Sequence, residues 1–132
     1  MGTSINMLGG GGGGGITGDT MLTFNFASKP NINQKIIIPL AQGIVITFPT
    51  DLEGSIGIAQ IAAAAQTDFD VQKNGSSVAT VRFAASGTVP TFICAADFTI
   101  DGNSGDNIAI VAASVQDTTL SSISISLKGI RS

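Results

Sequence analysis

Asp68 and Asp70 stand two residues apart in TDFDVQKNG and would fall on one face of a strand. Paired carboxylates can share acid–base work on a glycosidic bond. A sugar platform is missing, however: the chain has no Trp or Tyr, and its seven Phe lie mostly in core phase. The pair is therefore read as two solvated strand residues. In DGNSGD, Asp101, Asn103 and Asp106 offer oxygens of the kind that calcium takes. An EF-hand loop needs further ligands and a bidentate Glu at its twelfth position, and none follows. A Gly-rich turn between FTI and NIAIVA is expected, with calcium binding as the alternative.

The chain has no histidine. Neither a Ser–His–Asp triad nor a Cys–His pair can be built from it alone, and a His-based zinc site is excluded. Its single cysteine, Cys94, precludes an internal disulfide. Cys94 lies in the apolar run TFICAAD and reads as a small buried hydrophobe. The seven consecutive glycines Gly9 to Gly15 lack the Lys-Ser/Thr tail of a phosphate-binding loop and precede no helical pattern. They carry no Gly-X-Y repeat either. No catalytic residue, cofactor or metal is expected, and the reading is non-enzymatic.

The 132 residues amount to one domain. Apolar residues make up 43% and charged residues only 11%, with Ser, Thr, Asn and Gln filling the difference. That mix suits strands with small side chains. The net charge is −3, and the six basic residues scatter from Lys29 to Arg131 without forming a patch. Nucleic acid is not an expected partner. Nor is a membrane, since no apolar run approaches the ~20 residues of a span. Met1–Leu8 lacks a basic start, and glycines stand where a secretory signal has its apolar stretch. MGTSIN has Asn6 where a myristoylation site wants Ser or Thr. A soluble protein made in a cytoplasm is expected.

Three parts follow from the pattern: a short peptide over residues 1–8, a Gly-rich linker over 9–20, and a patterned domain over 21–132. Period-two alternation dominates the domain. It groups Leu22, Phe24 and Phe26; Ile44, Ile46 and Phe48; Phe69 and Val71; Ala79, Val81 and Phe83; Ile108, Ile110 and Ala112; and Ile123, Ile125 and Leu127. Asn74-Gly75 between two alternating runs signals a tight hairpin, since both residues tolerate positive φ. IGIAQIAAAAQTD fits a helix with Ile58, Ile61, Ala62 and Ala65 on one face. It also fits a strand with Ile61, Ala63 and Ala65 in phase with Phe69 and Val71. The strand is preferred because strands flank it. Pro39, Pro49 and Pro90 fall at run ends, as strand ends require. An all-β antiparallel β-sandwich or jelly roll of eight or nine strands is predicted, with an extended N-terminal arm.

Several stretches together resemble a β-rich module that recurs in structural proteins of tailed bacteriophages. They are LEGS at Leu52–Ser55, FDVQKNG at Phe69–Gly75, FAA at Phe83–Ala85, GDNIAIVA at Gly105–Ala112 and DTTLSSISISL at Asp117–Leu127. The likeness spans about residues 21–131, rests on core and turn positions, and brings no catalytic motif. It implies a virion structural protein assembled in the host cytoplasm, with a capsid decoration or head-fibre protein as the first expectation. A small tail or tail-fibre component that binds a receptor or host-surface glycan is the second. It also implies other virion proteins, capsid or tail subunits, as partners, and self-association as a homotrimer.

Residues 1–20 lie outside the likeness. A seven-glycine coil spans only ~15 Å, too little for a fibre stem. With no side chains to block backbone approach, it suits a narrow groove between subunits. Ile5, Met7 and Leu8 would be apolar hooks in a partner. Gly9, Gly10, Gly11, Gly12, Gly13, Gly14 and Gly15 would be the thread that adds to a groove or sheet edge.

Overall fold

A computed structural model of the chain describes residues 18–132. Ten strands follow in order: β1 (Gly18–Phe26), β2 (Lys35–Pro39), β3 (Val45–Phe48), β4 (Ile56–Ile61), β5 (Thr67–Lys73), β6 (Ser76–Phe83), β7 (Thr91–Ile93), β8 (Phe98–Asp101), β9 (Asn107–Val111) and β10 (Ser121–Arg131). They form two five-stranded antiparallel sheets. One runs β1-β10-β3-β8, with β4 also on β10; the other runs β2-β9-β5-β6-β7. β1 pairs with β10, β2 with β9 and β3 with β8, so these three pairings nest inside one another. Such nesting is that of a long hairpin rolled into a jelly-roll-like sandwich.

Alternation explains which side chains meet between the sheets. Leu22, Phe24, Phe26, Ile123, Ile125 and Leu127 bury one face of the β1–β10 pair. Phe69, Val71, Val81 and Phe83 bury the facing side of β5 and β6. Phe69 joins the layers, with its ring edge-on to Phe26 at 5.3 Å and to Phe83 at 5.8 Å. Asn74 (φ 51°) and Gly75 (φ 86°) both take positive φ in the β5–β6 hairpin, as the Asn-Gly pair predicts. Cys94 is buried, and its thiol donates to the Ala96 carbonyl at 3.1 Å.

Strand β10 is the spine of its sheet. Its N-terminal half pairs with β4 and its last two residues with β3. In the gap between those partners, the Lys128 N–H donates to Ser55 Oγ at 2.9 Å. This is the structural use of the LEGS stretch.

Three sequence expectations change. Among the described residues the strands number ten, where eight or nine are expected: KIIIP forms the edge strand β2, whose unbroken apolar run hides the alternation. The Ala-rich run is a strand, but it does not continue in phase into β5. It ends at Ile61, where the chain crosses from one sheet to the other, so Ala63 is buried while Ile61 and Ala65 are exposed. Thr67, not Ala65, is the residue that joins the buried phase of Phe69 and Val71. Finally, Gly18, Asp19 and Thr20 are not linker. They open β1 and pair with Arg131, Ile130 and Gly129.

Candidate functional site

The paired carboxylates do not converge on a common point. Asp68 holds Arg82 in a two-toothed ion pair, Oδ1 to Nε at 2.9 Å and Oδ2 to Nη2 at 3.0 Å. This contact raises the Arg82 pKa through the hydrogen bond and then the charge of Asp68. Asp70 accepts from Gln72 Nε2 at 2.8 Å and from Ser77 Oγ at 2.7 Å. Each carboxylate is a cross-strand or local brace.

DGNSGD forms a 3-10 turn at Gly102–Ser104, closed by Gly105 at φ 77°. Asp101 caps it by accepting from the Asn103 N–H at 2.8 Å. Asp106 turns the other way, accepting from Asn74 Nδ2 at 2.8 Å and from the Asp101 N–H at 2.9 Å, with Lys73 Nζ at 3.7 Å. The Asn74 bond first, then the Asp101 N–H, hold its carboxyl below the usual aspartate range, against a smaller opposing push from burial. The oxygens proposed for calcium are thus turned to different donors, tying the turn to the β5–β6 hairpin. Among the described residues, no three His, Cys, Asp or Glu side chains gather in a way that could hold a metal ion.

The most heavily bonded carboxylate is Asp117, which the sequence presents only as the start of the last strand. β10 begins at Ser121, and Asp117 lies in the loop before it. Its Oδ2 accepts from the N–H groups of Ala64 (2.9 Å), Thr119 (3.1 Å) and Leu120 (2.9 Å), and its Oδ1 accepts from Ala65 (3.0 Å). Burial pushes the carboxyl up, but the four backbone donors outweigh it and hold it far below the usual range. Asp117 therefore clamps the loop after β4 to the loop before β10. Asp117→Asn should lower stability by about 2 kcal/mol at pH 7, the partial exposure of the carboxylate keeping the loss modest. A carboxyl whose folded pKa is depressed stabilises above its unfolded value, near pH ~4, and loses that contribution as pH falls through the folded one. The gap between wild type and Asp117→Asn should accordingly narrow below pH ~4, as read by urea unfolding.

The clamped loops wall a cleft of about 410 Å³. Ala64–Asp68 form one side and Ala113–Thr118 the other, with Val115 exposed at the rim. This cleft lies at the Phe26 end of β1. At the opposite end, Gly18 pairs with Arg131. Two buried polar atoms at that end have no hydrogen-bond partner among the described residues, Thr20 Oγ1 and Arg131 Nε. A second groove, of about 290 Å³, lies between Met21 and Ile56 beside the Asp19–Lys128 ion pair. Ile56 and Ile58, on the same face of β4, are 67% and 59% exposed.

The hooks Ile5, Met7 and Leu8 and the thread Gly9–Gly15 lie outside the described residues. The first described element is β1, which begins at Gly18 and, among the described residues, pairs with β10 alone. Among the described residues no helix is long and apolar enough to cross a membrane. No family model, no curated protein and no solved structure matches this chain.

Proposed function

We propose that this chain is a non-enzymatic structural protein of a bacteriophage particle. In this reading it is a decoration or head-fibre module moored by residues 1–17, with its sandwich on the outside. The observation that carries the reading is polarity. The arm joins the Gly18 end of β1, and the loop cleft lies at the Phe26 end of this nine-residue strand. A strand of that length separates the ends by roughly 30 Å. A module attached through one end then presents the other to its surroundings.

Two further features support it. The candidate catalytic carboxylates are all committed to bracing loops and strands, as their bonds above describe. The surface bears exposed apolar side chains at Met21, Ile56, Ile58 and Ile130, the kind of surface that contacts between subunits cover. A tail or tail-fibre component with a receptor- or glycan-binding role is the second reading, and the cleft between the Asp117-clamped loops is what favours it.

The test is deletion of residues 2–15 from the full chain, followed by counting copies on assembled particles. Loss of incorporation, with the thermal midpoint of the purified chain unchanged, is expected. Normal occupancy by the deleted chain would put the mooring elsewhere.

A further inference from the structure

The sheet edges of this sandwich are not equally guarded. β2 begins at Lys35 and ends at Pro39, and both residues discourage pairing. The outer side of β4 is bonded to the neighbouring loop, the Ala59 N–H donating to the Thr88 carbonyl at 2.8 Å, and just past the strand Ala63 O accepts from the Ser86 N–H at 2.7 Å. β7 has three residues and β8 four. β1 has nine, contains no proline, and among the described residues pairs only with β10. Its one charged residue, Asp19, is already paired with Lys128. Among the described residues, alternate N–H and C=O groups along its outer side therefore have no strand partner.

We propose that the outer edge of β1 receives residues Thr3–Leu8 of a second copy of this chain as an added strand. The occupant is argued from its sequence and its tether. In Thr3–Leu8, apolar Ile5 and Met7 alternate with polar Ser4 and Asn6, the period of a strand with one covered face. Residues 1–17 contain no charged side chain to oppose pairing. The tether, residues 9–17, is longer than the two to five residues of an ordinary hairpin loop. Extended, its nine residues reach ~30 Å, more than the ~19 Å width of a sheet four strands across, as β3 and β4 share one position beside β10. The tip can thus cross a whole subunit to the next β1. Each copy gives an arm and accepts one, a head-to-tail contact that builds a ring where the rotation between copies closes and a filament where it does not.

This inference rests on the reading of residues 1–17 as an interaction element and names the neighbour it grips. Its test uses the purified full chain with no particle present, so its failure and that of particle mooring are separate results. Native mass spectrometry reads association as multiples of 13.3 kDa across a concentration series. Hydrogen exchange reads the amides of Gly18–Phe26. The expected result is concentration-dependent multimers in which the outward β1 amides exchange at least tenfold more slowly. A double variant, Ile5→Asn with Met7→Asn, should abolish both effects at an unchanged thermal midpoint. Met21→Lys, a charge placed on the accepting strand, should weaken association from the other side. Three results would overturn the proposal: single copies at every concentration, multimers that survive the double substitution with β1 exchange unaltered, or β1 protection already complete in single copies. In the last case, the chain's own arm would be the occupant.

Discussion

Gly102→Ala is expected to leave little folded protein. A Cβ at this position would lie 1.9 Å from the Ala41 carbonyl oxygen, 2.8 Å from its carbon and 2.9 Å from the Ile44 oxygen. All three are backbone atoms of the connection between β2 and β3, so no rotamer change relieves the overlap. The Gly102 N–H also donates to that Ile44 oxygen at 2.8 Å, which fixes the approach. Moving the connection would pull Leu40 from Asp106 and disturb the start of β3. The cost should exceed about 4 kcal/mol. Gly75→Ala is the control: its φ is +86° but nothing lies within 4 Å, so it should cost only about 1 kcal/mol. Soluble yield and urea unfolding followed by far-ultraviolet circular dichroism separate the two, the chain having no Trp or Tyr to report by fluorescence. Similar losses for both would show that close approach at Gly102 is not what matters.

Phe69→Ala should be the most damaging truncation in the core, lowering stability by about 4 kcal/mol. The ring is 1% exposed and touches both layers, Phe26 across the sandwich and Phe83 on the adjacent strand. Its removal leaves a void that two sheets pinned by backbone ladders cannot close, and it breaks two edge-on ring pairs, each contributing roughly 1 kcal/mol beyond area. A fall in thermal midpoint of about 15 °C follows for a domain of this size. Phe98, half-buried and stacked on Phe48 at 5.1 Å, should lose clearly less when truncated. Equal losses at the two positions would mean that the sheets are held by their edges rather than by the Phe26–Phe69–Phe83 contact.

What could be read from the sequence was whatever depends on neighbours along the chain. Asn74-Gly75 announces its own backbone geometry, and the alternation in β1, β6 and β10 selects the buried side chains without knowledge of the partner strand. β2 escaped because Ile36, Ile37 and Ile38 form an unbroken run, and as an edge strand it half-buries two of them and exposes the third. The phase of the Ala-rich run failed because the chain changes sheets between Ile61 and Thr67, and alanine's small side chain marks neither face. Asp117 shows the same limit in the candidate site. Its bonds to Thr119 and Leu120 follow from a local turn, but those to Ala64 and Ala65 reach back 53 and 52 residues. Only the fold brings those donors to it. The nested strand order, and β1 having only β10 as partner among the described residues, are likewise properties of pairing, which no local pattern encodes.

The proposed mooring on a phage particle is tested by cryo-electron imaging of particles assembled with and without this chain. Mooring by the arm should add density of sandwich size on the outer surface. Its Gly18 end should face the particle, and the cleft walled by Ala64–Asp68 and Ala113–Thr118 should face outward. Particle surfaces identical in the two preparations, or a sandwich seated with that cleft against the shell, would contradict it.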